Sequence, residues 1–154
     1  MSGIRFGPYL IHESQIFFKS KLSIGIVNLK PIAPGRKIQH YFNRNTPRLA
    51  DLDNDETVDL MLSAQKIGNA VEKHYGCTSL TMTIQDGPQA GQTVPHVHMH
   101  IIPRKKGDWP NNDDIYQELD KKKNDKLGVD NEGREPRTEE EMSLEANELR
   151  LYFI

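Results

Sequence analysis

Residues 94–102, VPHVHMHII, constrain the fold of this chain more than any other run, because polar and apolar side chains alternate along them. Successive side chains of an extended strand point to opposite faces of a sheet. The alternating polar positions are all histidine: His96, His98 and His100. We therefore expect a strand whose apolar residues face a core and whose three histidines project together from the other face.

The spacing of these histidines is compatible with three kinds of surface. One is a polar strand face that happens to be rich in histidine. Another is a metal site, since two histidines two residues apart on a strand can bind one zinc ion and a third can complete an open catalytic centre. The last is metal-free acid–base or nucleophilic chemistry, which suits imidazole because its charge changes near neutral pH.

A second alternating run, residues 78–85, lies just upstream and predicts a strand with Gln85 on its polar face. Its apolar members, predicted to face the core, are Leu80, Met82 and Ile84. The connector 86–93 contains two glycines and a proline, which suit a hairpin that places Gln85 beside the histidines. Asp86 falls in the turn and the only cysteine, Cys77, lies at the far end of the strand, which weakens the metal interpretation without excluding it. A glycine-bearing connector instead favours a phosphate ligand, because bare backbone N–H groups can approach the anion.

The remaining patterns predict one α+β domain over residues 1–154, an antiparallel meander of about five strands with two main helices. Further strands are expected at residues 15–18, 22–27 and about 36–42. A long helix is expected between Asp53, which can cap it together with Glu56, and Gly76. Its core stripe is predicted to contain Leu60, Ala64, Ile67 and Val71.

The end of the chain changes in character. Residues 105–137 are rich in charged residues, glycine and proline, and are predicted to form a mobile loop with a short helical patch at 115–122. Trp109 and Tyr116 are aromatic residues in this polar stretch, and they suggest a lid or recruitment arm as the functional alternative, with Tyr116 as a candidate phosphorylation site. Residues 138–154 are predicted to form a C-terminal helix and tail.

Composition excludes several classes of protein. No apolar run approaches the roughly 18 residues that span a membrane, and no signal-peptide pattern opens the chain. A single cysteine cannot form an internal disulfide, so we expect a cytoplasmic protein, with the nucleus as a further location. The net charge of −2 argues against a nucleic-acid partner, which would need a clustered excess of lysine and arginine.

The histidine run resembles the signature of the histidine triad superfamily of nucleotide hydrolases and transferases. Flanking sequences resemble its fragile histidine triad branch, the dinucleoside polyphosphate hydrolases. The segments that carry this resemblance are QDGP at 85–88, GQTV at 91–94, PRK at 103–105, RFG at 5–7, VNLKP at 27–31, DIYQEL at 114–119, EEEM at 139–142 and LRLYF at 149–153.

The resemblance implies that His98 is the nucleophile, which attacks the α-phosphorus of a diadenosine polyphosphate and holds AMP as a phosphoramidate until water releases it. It implies that His100 donates to the α-phosphate, His96 orients the middle ring and Gln85 contacts the transferring phosphate. The other substrate contacts that it implies are Tyr9 with the nucleotide, Asn28 with the ribose, and Gly91, Gln92, Thr93 and Val94 along the phosphate path. It implies no resident metal and no required cofactor, although a divalent cation can accompany the substrate phosphates.

The resemblance also implies a homodimer in which the sheet continues from one protomer to the next, with the apolar C-terminal end near the interface. Residues 36–48 depart from the branch, with Arg36 where relatives carry a histidine, so the preferred polyphosphate length stays open. His40, in this segment, is interpreted as a surface or strand-edge histidine. The expected reaction is hydrolysis of P1,P3-bis(5′-adenosyl) triphosphate to AMP and ADP. Alternatives are hydrolysis of a nucleoside phosphoramidate or adenylyl sulfate, or signalling by the nucleotide-bound protein.

Overall fold

The fold is seen in a computed structural model, which describes residues 3–29, 38–42, 44–116, 119 and 136–154, with the backbone course alone for 38–42. The strands in chain order are β1 (Gly3–Phe6), β2 (Tyr9–His12), β3 (Ile16–Lys19), β4 (Ser23–Val27), β5 (Ile38–Phe42), β6 (Ser79–Thr83) and β7 (His98–Arg104). The main helices are α1 (Asn54–Tyr75) and α2 (Glu139–Arg150).

Five strands form one antiparallel sheet in the order β3-β4-β5-β7-β6, which confirms the predicted α+β meander. β1 and β2 form a separate hairpin that the sequence did not predict. Each of its strands has only four residues, and their burial does not alternate clearly. So short a strand gives too little periodicity to be recognised.

Helix α1 begins and ends where its flanking residues predict. The Asp53 side chain accepts a hydrogen bond from the backbone N–H of Glu56, and the Glu56 carboxylate accepts one from the N–H of Asp53. Gly76 ends the helix with φ +62°, a left-handed conformation that glycine adopts without strain. The predicted stripe is buried: Leu60, Ala64, Ile67 and Val71.

Both helices cover the same face of the sheet. Ala64, Ile67 and Val71 of α1 join Met99 and Ile101 of β7 in the main core. The residues that α2 contributes to this core are Met142, Ala146 and Leu149. Since Met99 and Ile101 face the helices, the alternation of β7 turns His98 and His100 to the opposite face.

The opposite face is covered in part by the β1–β2 hairpin. Its Phe6 packs with Ile16, Ile24, Ile26 and Val94 in a second apolar cluster. The histidines therefore lie on a sheet face that is bounded by packed apolar residues.

The predicted core face of β6 is only partly confirmed. Leu80 and Ile84 pack against the main core, but Met82 is 37% exposed. The physical reason is position, because β6 is an edge strand and has a neighbour on one side only.

Several residues of the 105–137 segment pack against the rest of the protein. Asp108 forms a buried ion pair with Arg104, and Trp109 stacks on the same guanidinium at 4.8 Å. Ile115 and Leu119 are buried. Residues 117–118 and 120–135 lie outside the described residues.

No helix in the described part of the chain is long and apolar enough to span a membrane.

The Glu56 carboxylate links helix α1 to the segment before it. Hydrogen bonds from the Arg44 side chain, and next from the N–H of Asp53, lower the pKa of Glu56 from 4.5 to about 2. Because the folded pKa lies below the unfolded one, the stabilisation is fully present above pH 4.5 and is lost as pH falls toward 2. We expect Glu56→Gln to lower the free energy of unfolding at pH 7, and this deficit to disappear by about pH 2, as measured by urea unfolding at both pH values.

Asp55→Asn is the matched control, since Asp55 is an exposed acid in the same helical turn. A Glu56→Gln deficit that stays constant from pH 7 to pH 2 would contradict this account of the ion pair.

Candidate active site

Two members of the histidine cluster stand on β7 as predicted. His98 and His100 are both buried, with ring centroids 4.9 Å apart and rings nearly perpendicular. His100 lies directly across from Thr83 of β6. The Thr83 hydroxyl is buried and has no hydrogen-bond partner among the described residues, so it adds a polar group on the histidine face.

The third member, His96, is not on the strand, which corrects the prediction of a strand from residue 94. β7 begins at His98, and the chain bends before it, with the His96 N–H bonded to the Val94 carbonyl at 2.8 Å. Pro95 has no N–H to donate to a neighbouring strand, which favours a bend at this position over a continued strand. His96 is nevertheless completely buried, so a bend, and not strand alternation, brings it to the cluster.

The bend fixes the protonation of His98. Its Nδ1 lies 2.7 Å from the backbone carbonyl oxygen of His96. A carbonyl can only accept, so Nδ1 of His98 must carry a proton and donate it. In the neutral ring the lone pair then lies on Nε2, the nitrogen that a nucleophile or base would use.

The N-terminal hairpin fixes the ring of His96 in a similar way. The backbone N–H of Gly7 donates to Nδ1 of His96 at 3.0 Å, so the neutral ring carries its proton on Nε2. The Phe6 ring lies against both neighbours, with centroids 5.3 Å from His96 and 5.1 Å from His98. These two positioning residues were quoted in the sequence only as part of the RFG motif, since a backbone donor leaves no trace in residue type.

Gly7 is held in its conformation by two constraints. It has φ +56°, as the first central residue of a two-residue hairpin turn requires. A Cβ at this position would lie 2.7 Å from a Val94 methyl carbon. Glycine is therefore the residue that lets the hairpin approach His96.

The connector from β6 to β7 is held by its own side chains. Gln92 accepts a hydrogen bond from the N–H of Gly87 at 2.7 Å and donates to the Pro47 carbonyl at 2.7 Å. Gly87 and Gly91 both have positive φ, near +101° and +88°. The side-chain amide of Gln92 is thus engaged by Gly87 and Pro47. Its backbone is the part of the residue that can face a ligand.

An ion pair supports the same connector. Asp86 accepts from the Arg48 side chain at 3.1 Å and from the N–H of Leu49 at 2.9 Å. The Arg48 hydrogen bond, followed by that from Leu49, lowers the pKa of Asp86. The ionised carboxylate beside the loop is therefore balanced by a guanidinium.

Two other predicted substrate residues, Gln85 and Asn28, lie just after strands of the five-stranded sheet. Gln85 follows β6, and continuing the register of Thr83 with His100 by two residues brings it opposite His98. Asn28 follows β4, is 3% exposed and continues the alternation that puts Ile24 and Ile26 on the histidine face.

The predicted contacts nearest the hairpin differ in exposure. Tyr9 is 56% exposed and pairs with Phe6 in the hairpin, and Thr93 is also exposed, whereas Gly91 is buried. The Val94 side chain is buried in the apolar cluster, so only its backbone can line a phosphate path. Residue 36 and the side chain of His40 lie outside the described part of the chain.

Within the described residues, no three histidine, cysteine or carboxylate side chains are grouped so as to hold a metal ion. Cys77 is buried, with its thiol near the Tyr75 carbonyl. The geometry that is present can instead support nucleophilic attack by a neutral imidazole whose second nitrogen is bound to a carbonyl.

The two hydrogen bonds make a direct prediction about tautomers. Long-range proton–nitrogen correlation spectra near pH 7.5 should show neutral His98 protonated on Nδ1 and neutral His96 protonated on Nε2. His98 protonated on Nε2 would contradict the assignment. Gly7→Ala should mix the His96 tautomers, whereas Gly76→Ala, at a similar φ but in open space, should change stability alone.

The chain is similar to several known proteins. A family model described as the HIT domain matches residues 11–107. A bis(5′-adenosyl)-triphosphatase of Dictyostelium discoideum is 49% identical, over 99% of this chain and 95% of that protein. A bifunctional bis(5′-adenosyl)-triphosphatase/adenylylsulfatase of Arabidopsis thaliana is 47% identical, over 99% of this chain and 85% of that protein.

Solved structures agree as well. The crystal structure of Plasmodium falciparum diadenosine triphosphate hydrolase in complex with cyclomarin A has a TM-score of 0.77 and 31% identity, covering 99% of this chain and 85% of that one. Family model, near full-length relatives and fold therefore agree with one another. The chain belongs to the histidine triad family, in its fragile histidine triad branch.

Proposed function

We propose that this protein is a hydrolase of diadenosine polyphosphates that converts P1,P3-bis(5′-adenosyl) triphosphate to AMP and ADP. The observation that carries the proposal is the hydrogen bond from His98 Nδ1 to the His96 carbonyl, because it puts the lone pair of the neutral ring on Nε2. The two relatives that match nearly the whole chain are named for this triphosphatase activity, and the Plasmodium structure is named a diadenosine triphosphate hydrolase.

The proposed reaction has two displacements at one phosphorus. Nε2 of His98 bonds to the α-phosphorus while the bond from that phosphorus to the bridging oxygen breaks, and ADP leaves with the electron pair. AMP remains on His98 as a phosphoramidate. Water then attacks the same phosphorus and loses one proton to the solvent, the P–N bond breaks with its electron pair returning to Nε2, and AMP and the free His98 ring are released.

The neighbours of His98 serve both displacements. The ring gains positive charge as Nε2 attacks, and the His96 carbonyl, 2.7 Å from Nδ1, stabilises that charge. In this proposal His100 donates to an α-phosphate oxygen and Gln85 contacts the transferring phosphate. His96 keeps the middle ring oriented, since its own ring is held by Gly7.

The substrate contacts follow the same face. Asn28 binds the ribose, and Tyr9 contacts the nucleotide from the hairpin. The phosphate path is lined by Gly91, Gln92, Thr93 and Val94. For Gln92 and Val94 the contacts are assigned to the backbone, because both side chains are engaged elsewhere.

Adenylyl sulfate is the second substrate to consider. The Arabidopsis relative is also named an adenylylsulfatase. The chemistry is the same attack on an adenylyl phosphorus, with sulfate in place of ADP as the leaving group. The two substrates therefore share the nucleophile and differ only in the contacts beyond the α-phosphate.

Replacement of the nucleophile tests the proposal. We expect His98→Ala to lower kcat for diadenosine triphosphate by about 10⁴-fold or more, since loss of a nucleophile removes the covalent route. Binding of the substrate, measured by isothermal titration, should survive in this variant. In the wild-type enzyme, rapid quenching should trap AMP on His98.

His74→Ala is the matched control, because His74 lies on α1 and contacts Glu148 and Tyr152. The assay should be repeated with excess chelator, with diadenosine tetraphosphate and with adenylyl sulfate. We expect activity to persist in chelator, since no resident metal is proposed, and kcat/KM to be highest for the triphosphate. Turnover that survives His98→Ala would refute the covalent mechanism, and binding without turnover in the wild type would favour a signalling role.

We also propose that the protein is a homodimer whose sheets join at β6, which is an edge strand. Helix α1 passes close to this edge, because a Cβ on Gly68 would lie 2.7 Å from Leu80. Met61 lies seven residues before Gly68, on the same helix face. The exposed apolar residues of this region are Met61 and Met82, with exposures of 55 and 37%.

A charge on this surface should separate the protomers. Met61→Glu is expected to shift the protein from dimer to monomer in light scattering coupled to size-exclusion chromatography, because a carboxylate is costly to bury at an interface. Leu144→Glu is the control, since Leu144 is equally exposed, at 58%, but lies on α2. A wild-type monomer at micromolar concentration, or a Met61→Glu dimer, would refute the proposed interface.

The proposed location is the cytoplasm, with the nucleus as a further compartment. The single buried cysteine supports a reducing compartment. The proposed partners are the dinucleotide substrate and a second copy of the chain, with no nucleic acid and no membrane.

A further inference from the structure

Asn28, the residue proposed to bind the ribose, has its backbone carbonyl bound by a buried network of charged side chains. The proposed reaction does not use this network. Both Nε and Nη2 of the Arg137 side chain donate to the backbone carbonyl oxygen of Asn28, with the Nε contact at 3.1 Å. The backbone N–H of Arg137 donates to the carbonyl of Leu29 at 2.9 Å. One residue therefore fixes two successive carbonyls at the end of β4.

The Arg137 guanidinium is itself fixed. Its Nη1 forms an ion pair with Glu145 of α2, and the two side chains are 16% and 9% exposed. Tyr75, the last residue of α1, donates its hydroxyl to the other oxygen of Glu145. Burial, followed by the negative charge of Glu145, raises the pKa of Tyr75, so the hydroxyl keeps its proton and remains a donor.

This network has a direction. It starts from the C-terminal end of α1 and from α2, both of which contribute to the main core, and ends on the carbonyl of Asn28, the residue proposed to bind the ribose. A rigid, charge-assisted contact of this kind restricts the backbone of Asn28 and hence its side chain.

We infer that Arg137, supported by Glu145 and Tyr75, is a positioning residue for nucleotide binding, which acts by holding Asn28 in the orientation that binds the ribose. This inference rests on the proposed function, because it takes the ribose contact of Asn28 from there. The ribose does not react, so a loss of this contact weakens binding of ground state and transition state alike. The network therefore governs KM and not the chemical step.

The chain offers a matched structural control in Arg150. Its Nε donates to the Ile16 carbonyl at 2.8 Å and its Nη2 to the Glu13 carbonyl at 2.9 Å. Arg150, like Arg137, is an arginine near the C-terminal end that binds backbone carbonyls. The carbonyls that it binds belong to Ile16 and Glu13, which are not residues of the proposed site. Loss of either arginine should lower stability, and only loss of Arg137 should alter nucleotide binding.

The experiment compares Arg137→Ala with Arg150→Ala in the full chain, using diadenosine triphosphate as substrate. We expect Arg137→Ala to raise KM about tenfold, as the loss of one neutral hydrogen bond to a ligand does, with kcat within about threefold of wild type. AMP affinity should fall in parallel. Arg150→Ala should leave KM and kcat unchanged while lowering the unfolding temperature.

A double-mutant cycle separates positioning from a general loss of structure. If Arg137 acts through Asn28, the KM effect of Arg137→Ala should vanish in an Asn28→Ala background. Additive effects, an unchanged KM in Arg137→Ala, or an unchanged KM in Asn28→Ala would each overturn the inference. Arg137→Lys and Glu145→Gln provide the same cycle if Arg137→Ala does not fold.

Failure of the proposed function is visible separately. It would appear as absent turnover or an unaffected His98→Ala variant, before any Arg137 variant is made. If the inference alone is wrong, the KM results for Arg137→Ala will contradict it, while wild-type turnover and its dependence on His98 remain as proposed. A substrate whose riboses lack both hydroxyls adds a further readout, because its KM should respond much less to Arg137→Ala.

Discussion

The hydrogen bond from His98 Nδ1 to the His96 carbonyl is the contact on which the rest of the site depends. It exists because the chain bends at Pro95 and His96 before β7 begins, which turns the His96 carbonyl toward the ring of His98, two residues further on. The bend is secured from three sides: the Gly7 N–H binds the His96 ring, the Val97 N–H binds the Thr46 carbonyl, and Val94 is buried. A nucleophilic imidazole needs a defined tautomer, and here the backbone provides it.

The sheet can accommodate these buried polar rings because its two faces have different roles. One face carries both helices and the main core, which supply most of the buried apolar surface. The other face is free to hold three buried imidazoles, which would be costly in a core without hydrogen-bond partners. The small hairpin closes that face with Phe6 and so shields the histidines from water without adding a charge.

The sequence predicts the parts of this protein that have strong periodicity or strong local chemistry. The capped helix α1, the five-stranded sheet and the position of His98 and His100 belong to this group. The strand boundary at His98, the β1–β2 hairpin and the folded start of the 105–137 segment do not. Each depends on contacts between distant residues, such as Gly7 with His96 or Ile115 with the core, and a single sequence carries no direct signal of such pairs.

The site residues divide in the same way. Residue type and spacing single out the histidines and the motif residues, but they give no signal of the backbone donors or of the side chains that lie behind the proposed site. Gln92 illustrates the limit, since the motif names the residue but does not reveal that its amide is bound to Gly87 and Pro47. Arg137 is a further case, because 109 residues of sequence separate it from Asn28.

The charge of the site follows from how its arginines are used. Arg48 is paired with Asp86, and Arg137 with Glu145, so neither guanidinium near the proposed nucleotide path is left as an uncompensated positive charge. A fully exposed cation there would bind polyphosphate and its products equally well and would slow release. Binding by backbone N–H groups and neutral imidazoles depends on geometry, so it can favour the phosphorus that reacts. In the proposed reaction, recognition of the polyphosphate is local and the arginines hold the backbone in place, so the overall charge of −2 does not oppose such a substrate.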